Sequence, residues 1–316
     1  MLALLLRAIY LFQLLCGAVL GSWLAIEATQ QSGGALSLIW LPLTMLCLPL
    51  LLQFLVILTS LIQSRTGGPA ALWWRVLWAE YISAVLVFML RQPWPRRPNG
   101  VQMPLATPPG ELGAGAVPVV LVHGYLCNHR VWDDMTLALR QAGHPVLAVD
   151  LEPLFGSIDD YAVVLEAAVQ RLQAETGAPQ VALVGHSMGG LAIRAWLRTQ
   201  NAVQLGRVAR ILTLGTPHQG TRIPQPVATP NGVQMHWHSP WIQTLQASEG
   251  AAQHALMHIA LNLNDNICFP QTAQVLPGVA VTEFSGIGHL EMCRHPRVID
   301  WTCKQLSKQT LEGVTA

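Results

Sequence analysis

The sequence predicts an α/β domain with a mostly parallel sheet and covering helices, preceded by an α-helical region suited to a membrane. Three observations carry this. Charge is almost absent before residue 91, the composition turns to Pro, Gly and Arg over residues 91–117, and beyond that short apolar runs alternate with longer amphipathic stretches. Of the 316 residues, 52% are hydrophobic and 11% charged, well below the roughly 25% charge of an ordinary soluble domain. A disordered chain is excluded. Lys and Arg number 18 against 17 Asp and Glu, so the net charge of +1 leaves no basic footprint for phosphates, and nucleic acid is not an expected partner.

Residues 1–90 carry only Arg7, Glu27, Arg65, Arg75 and Glu80 as charges. A bilayer core about 30 Å thick needs about 20 mostly apolar helical residues, and two stretches meet this. Ala8 to Ile26 is free of charge, and so is Ala35 to Ile62, with Pro42 and Pro49 as kinks that neighbouring helices can tolerate. The third stretch, Leu72 to Leu90, holds Arg75 and Glu80. It either spans, with Arg75 extending to the headgroups and Trp73, Trp74 and Trp78 anchoring that end, or lies in the interface. Residues 1–90 are thus expected to form two to three spans of a multi-pass integral membrane protein surrounded by membrane lipids. A lone Arg7 and the lack of a small-x-small site after the first apolar run favour a retained anchor over a cleaved signal peptide. With three spans, Arg7, Arg65 and Arg75 on one side balance Arg91, Arg96 and Arg97 on the other, so the basic residues select no orientation.

Pro93, Pro95, Pro98, Pro104, Pro108 and Pro109, with Pro118 just beyond, mark the 91–117 region as an extended linker. Residues 118–316 form the expected catalytic domain, and a cut near Thr107 is expected to release it as an active soluble fragment. Strands are predicted at Val117–His123, Pro145–Asp150, Gln180–Gly185, Ala209–Gly215, His258–Asn264 and Val279–Ser285. Helices are predicted at Val131–Ala142, Ile158–Glu175, Met188–Gln200 and Pro296–Ser307. The stretch from about 218 to 253 breaks this alternation, as a functional lid would.

The sharpest chemical signal is Gly185-His186-Ser187-Met188-Gly189, with Val181-Ala182-Leu183-Val184 before it and an apolar helical run after it. A strand, a very tight turn and a helix are the context that a Gly-x-Ser-x-Gly nucleophile requires. The turn strains the serine backbone, and glycines on both sides let strand and helix pass closely. A serine hydroxyl also needs a base to take its proton and a carboxylate to orient that base. Of eleven histidines, His289 follows the last predicted strand and precedes the last helix, at the sheet edge where open α/β sheets bind ligands. His295 is the rival, although Pro296 after it suits a helix start. Between Gly250 and Thr282 the only carboxylate is Asp265, in Asn264-Asp265-Asn266. The oxyanion hole needs backbone N–H donors, one from the residue after the nucleophile, Met188, and one from the loop after the first strand, Tyr125. In that loop Gly124 permits close approach, and His123 is read as a structural histidine.

From about Pro118 to Leu306 the chain resembles lipases and esterases of the α/β-hydrolase superfamily. The resemblance rests on His123-Gly124-Tyr125, the Ser187 pentapeptide, Gly215-Thr216-Pro217-His218-Gln219-Gly220-Thr221, Asp265 and Gly288-His289. The Thr-Pro-His-x-Gly-Thr string is especially lipase-like, whereas peptidases, thioesterases and peroxidase-type members share the pentapeptide. The resemblance implies an α/β-hydrolase fold with a lid and a serine esterase or lipase acting on carboxylic esters, with lipid or acyl esters as substrates. Its triad would be Ser187, Asp265 and His289, and His218 would support the site wall. Trp237 and Trp241 in Met235-His236-Trp237-His238-Ser239-Pro240-Trp241 would either face an acyl chain from one helical face or pack under a loop. Thioesterase, amidase or acyltransferase chemistry, or a scaffold without turnover, are the alternatives.

No cofactor is implied, and no metal-ligand spacing joins the cysteines or histidines. Cys127, Cys268, Cys293 and Cys303 fall in the catalytic part and Cys16 and Cys47 in the apolar segments. Cys293 and Cys303 either pair or remain free thiols. Composition carries no statement of oligomeric state.

Overall fold

The structure, a computed structural model, describes residues 1–32, 39–65, 67–95, 100–105, 116–224 and 228–307. The start of the second apolar stretch at Ala35, the linker residues Arg96, Arg97, Pro98, Thr107, Pro108 and Pro109, and positions 225–227 of the expected lid lie outside the described residues.

Three helices open the chain, and each is long and apolar enough to cross a membrane. Helix α1 (Leu2–Ser32) and helix α2 (Trp40–Gln63) pack along each other, and the Thr44 hydroxyl donates across the pair to the Gly17 carbonyl at 2.7 Å. Pro42 falls in the first turn of α2, where a missing N–H costs nothing, and Pro49 lies inside it. Helix α3 (Ala70–Ala84) continues through a wider π-helical turn, Val85–Arg91.

All six expected strands are present, each end within two residues of its prediction: β1 (Val119–Val122), β2 (Val146–Val149), β3 (Val181–His186), β4 (Val208–Leu214), β5 (Met257–Asn262) and β6 (Ala280–Phe284). They form one sheet in the order β2-β1-β3-β4-β5-β6, parallel throughout. The remaining helices are α4 (Asp133–Gln141), α5 (Tyr161–Thr176), α6 (Met188–Leu197), α7 (Ala202–Leu205), α8 (Pro230–Gln234), α9 (Pro240–Ala247), α10 (Ala251–Ala255) and α11 (Pro296–Gln305). Alternation along the strands sorts the core into two layers. Val120, Val122, Leu183, Ile211 and Ile259 meet α5, α6 and α9, while Val119, Leu121, Val184, Leu212 and Ala260 meet α4 and α11.

The second layer also contains Val76, Leu77, Ala84 and Val87 of the third apolar helix. The core therefore crosses the border expected at residue 90. Leu72–Leu90 is apolar on every side, so its periodicity could not reveal that one face is covered by protein. The two charges within it, Arg75 and Glu80, both reach the sheet domain: Arg75 donates to the Gly286 carbonyl, and Glu80 accepts from the Leu290 N–H.

The expected lid folds into short helices packed against the domain. Met235, Ile242 and Leu245 join the first core layer, and the Gln234 side chain accepts from the Ile158 N–H at 2.7 Å. Trp237 and Trp241 do not share a helical face, which corrects that expectation. Helix α9 begins at Pro240 with Ser239 as its cap, so Trp237 precedes it in a turn, stacked on His238 with Arg222 over its ring. Trp241 packs against the core, and its indole N–H donates to Asp159 at 2.9 Å.

Candidate active site

The parallel register aligns the C-terminal strand ends. Val122 pairs with Gly185 and His186 with Leu214, so the loops after β1, β3 and β4 emerge side by side. Ser187 sits between β3 and α6 with φ 55 and ψ −128, a sparsely populated positive-φ conformation that costs a residue with a Cβ about 1–3 kcal/mol. Its N–H donates to the Leu214 carbonyl and its own carbonyl accepts from Gly190, both at 3.0 Å. The flanking glycines are required by contact: a Cβ on Gly185 would lie 2.7 Å from the Gly190 nitrogen, and one on Gly189 would enter the Val122 and His123 carbonyls.

His289 and Asp265 are brought together below the β5 and β6 ends. The His289 Nδ1–H donates to Asp265 Oδ2 at 2.8 Å, and the other carboxylate oxygen accepts the N–H groups of Ile267 (2.8 Å) and Cys268 (2.7 Å). Burial alone would lower the His289 pKa. The Asp265 carboxylate outweighs it and holds the imidazole well above the ordinary histidine value. Gly215, at φ 53, lies against this pair, and a Cβ there would come 2.9 Å from Asp265 Oδ2. That contact gives the first residue of the Gly-Thr-Pro-His string a physical reason.

The predicted oxyanion donors flank the serine. Met188 opens α6, where N–H groups have no acceptor within the helix. Tyr125 follows Gly124, whose missing Cβ would lie 2.7 Å from the Ser187 Cβ. His123 is structural: its Nε2 accepts the Leu151 N–H at 3.0 Å, which leaves Nδ1–H to donate to the Gly124 carbonyl at 2.8 Å. His218 is buried beside Thr213 (3.0 Å) and Arg194, which pairs with Glu249 at 2.6 Å. Burial, then the Arg194 charge, push its pKa well below the ordinary value. The rival base His295 caps α11, accepting the Arg297 N–H at 3.1 Å, and does not meet Asp265.

Several residues that hold the site were missed by sequence reasoning. Asn264 accepts the Gly286 N–H at 2.7 Å, Asn266 accepts the His289 N–H at 3.0 Å, and Asn262 donates to the Gly288 carbonyl at 3.3 Å. His186, inside the serine pentapeptide, donates from Nε2 to the His289 carbonyl at 3.0 Å. The signal was present in the repeated asparagines of Asn262-Leu263-Asn264-Asp265-Asn266. The Cys268 thiol lies beside the pair, with one polar atom of Asp265, Cys268 and His289 each inside a 4.8 Å group. Burial, then the Asp265 charge, push this thiol up to about 11, so it stays protonated near neutrality. All six cysteines, Cys293 and Cys303 included, are free.

A parallel sheet with a strained serine at the end of its third strand, and a His–Asp pair on loops from two later strands, defines a hydrolase-type α/β architecture. Residues 119–287, just over half of the chain, match the alpha/beta hydrolase family, and the chain belongs to that family. A triacylglycerol lipase of Burkholderia plantarii is 34% identical over 127 residues, covering 37% of this chain and 34% of that protein. One from Pseudarthrobacter phenanthrenivorans is 35% identical over 113 residues, covering 33% and 34%. The chain spans about a third of the length of these curated relatives. Among solved structures, the mature form of Bacillus licheniformis lipase BlEst2 superposes with a TM-score of 0.56 at 17% identity, over 67% of this chain and all of that one. Aspergillus fumigatus lipase B gives 0.54 at 16%, over 68% and 59%. At such identities the structural likeness shows the fold.

Proposed function

We propose that the chain is a membrane-anchored serine hydrolase that cleaves carboxylic esters, with lipid or acyl esters as substrates. The observation that carries this reading is the His289–Asp265 hydrogen bond of 2.8 Å beside the strained Ser187 turn. The lipase relatives support the ester class. Ser187 Oγ attacks the ester carbonyl while His289 takes its proton, and the Tyr125 and Met188 amides receive the oxyanion. His289 then protonates the leaving alcohol, and water, activated by the same imidazole, releases the acid from the acyl-serine. Asp265 orients the ring and stabilises its charged form.

For the membrane part, the proposal is that α1 and α2 cross as a hairpin while α3 lies at the surface beneath the sheet domain. Arg7 near the start of α1 donates to the Pro93 carbonyl at 2.7 Å and covers the Trp94 ring at 4.7 Å. Three full spans would put those residues on opposite sides. Along its buried face α3 meets protein, and Trp74, Trp78 and Ile82 remain exposed for lipid.

A fluorophosphonate probe tests the chemistry, since only an activated serine reacts. The parent should label at Ser187, and Ser187→Ala should neither label nor hydrolyse p-nitrophenyl butyrate. An unlabelled, correctly folded parent would favour a scaffold.

A further inference from the structure

The loop that carries His289 is held by a carboxylate from the N-terminal helices. We propose that Glu80, on α3, is a positioning residue for the base, an inference that rests on the serine hydrolase reading.

His289 precedes a short 3-10 turn, Leu290–Cys293. The first N–H groups of such a turn have no acceptor within it and, when buried, must be met from outside. Glu80 meets them. Oε1 accepts the Leu290 N–H at 2.8 Å and Oε2 accepts the Glu291 N–H at 3.0 Å, with Glu80 only 1% exposed. The fit is close on the other side too, because a Cβ on Gly288 would fall 2.7 Å from the Glu80 Cβ and Cδ. With Asn266 on the His289 N–H and His186 on its carbonyl, the peptide groups around the base are fixed by side chains from three separate elements.

Helix α2 serves the acid loop in parallel. The Ser60 hydroxyl accepts from the Asn266 amide at 2.9 Å, and the Gln271 amide bridges the carbonyls of Ser64 (2.9 Å) and Asp265 (2.7 Å). A carboxyl group suits the Glu80 position because the two amides it caps both donate and each of its oxygens can accept. Displacing the turn would swing the His289 ring out of its bond with Asp265, while Glu80 itself stays buried behind the loop.

The test compares the full chain and Glu80→Gln in detergent micelles, by p-nitrophenyl butyrate hydrolysis and by amide deuterium exchange. Glutamine keeps the volume but turns an NH2 group toward one of the two donors. The expected result is a kcat lower by about tenfold to a hundredfold with KM nearly unchanged, together with faster exchange confined to residues 286–293. Glu80→Ala should lose more. A kcat within about twofold of the parent overturns the proposal, and so does an exchange increase spread over the whole sheet, which would make Glu80 a general stability residue. If the parent neither hydrolyses the ester nor takes the fluorophosphonate, the hydrolase reading fails. The exchange arm then still decides whether Glu80 holds the loop, and unchanged exchange at 286–293 overturns that.

Discussion

Arg91 grips Asp134 with two guanidinium nitrogens, Nη1 to Oδ2 at 2.8 Å and Nη2 to Oδ1 at 2.9 Å, tying the end of the third apolar helix to α4 of the sheet domain. This two-pronged pair belongs to a row of contacts that begins with Arg75 and Gly286 and continues through Glu80 and through Ser83 with Arg294 (3.2 Å).

A chain cut near Thr107 should therefore fail to fold as a soluble esterase, contrary to the expectation from sequence. Val76, Leu77 and Val87 each stabilise the core by about 1.5–3 kcal/mol, and their sum rivals the roughly 5–15 kcal/mol that holds a domain together. A fragment beginning at residue 67 retains α3 and should preserve more soluble activity in detergent than the shorter one. Equal activity of the two fragments on short esters would show that α3 is dispensable.

Ser187→Ala should lower ester turnover by on the order of ten-thousandfold or more while leaving the fold unchanged. His289→Ala should be comparably damaging and His295→Ala should not, because His295 caps a helix. Steady-state rates of the three variants check this, and an inactive His295→Ala beside an active His289→Ala would reverse the assignment of the base.

In the proposed mechanism His289 must be neutral to take the serine proton, and the Asp265 carboxylate, outweighing burial, holds its pKa well above the ordinary histidine value. The acid limb of kcat/KM should therefore sit above that value, with activity rising as pH increases through it. Asp265→Asn removes the charge that raises the pKa, so the limb should move to lower pH while the plateau falls by about ten-thousandfold. A limb that stays in place in Asp265→Asn would mean that another group governs it.

Gly215→Ala tests the contact beneath the His–Asp pair. Its φ of 53 and the 2.9 Å approach to Asp265 Oδ2 predict a loss of about 1–2 kcal/mol from the backbone alone. A drop in kcat with little change in KM should accompany it. Thermal inactivation and ester kinetics read both, and a variant as stable and active as the parent would contradict the geometry.

Trp241→Ala should destabilise the chain by about 1–3 kcal/mol through lost packing and the lost bond to Asp159. The ratio of kcat/KM for long-chain to short-chain esters should hold within about threefold. A selective loss on long chains would return this tryptophan to the acyl-binding role.

Much of this protein was legible from local pattern. Short apolar runs alternating with amphipathic stretches specify strands and covering helices, and the Gly-x-Ser-x-Gly string between a strand and a helix specifies its own turn, because only glycine fits where backbones touch at 185 and 189. His289 stood out because it follows the last strand and precedes the last helix, and Asp265 because it is the only carboxylate between Gly250 and Thr282. Contacts between segments far apart in sequence carry no periodic trace. The role of the asparagines around Asp265 depends on a loop some twenty residues later. The third apolar helix reads the same whether lipid or protein covers it, since both reward apolar side chains. Only the folded chain, by seating Val76, Leu77 and Glu80 against the sheet domain, decided that this helix is shared between the apolar N-terminal helices and the candidate site.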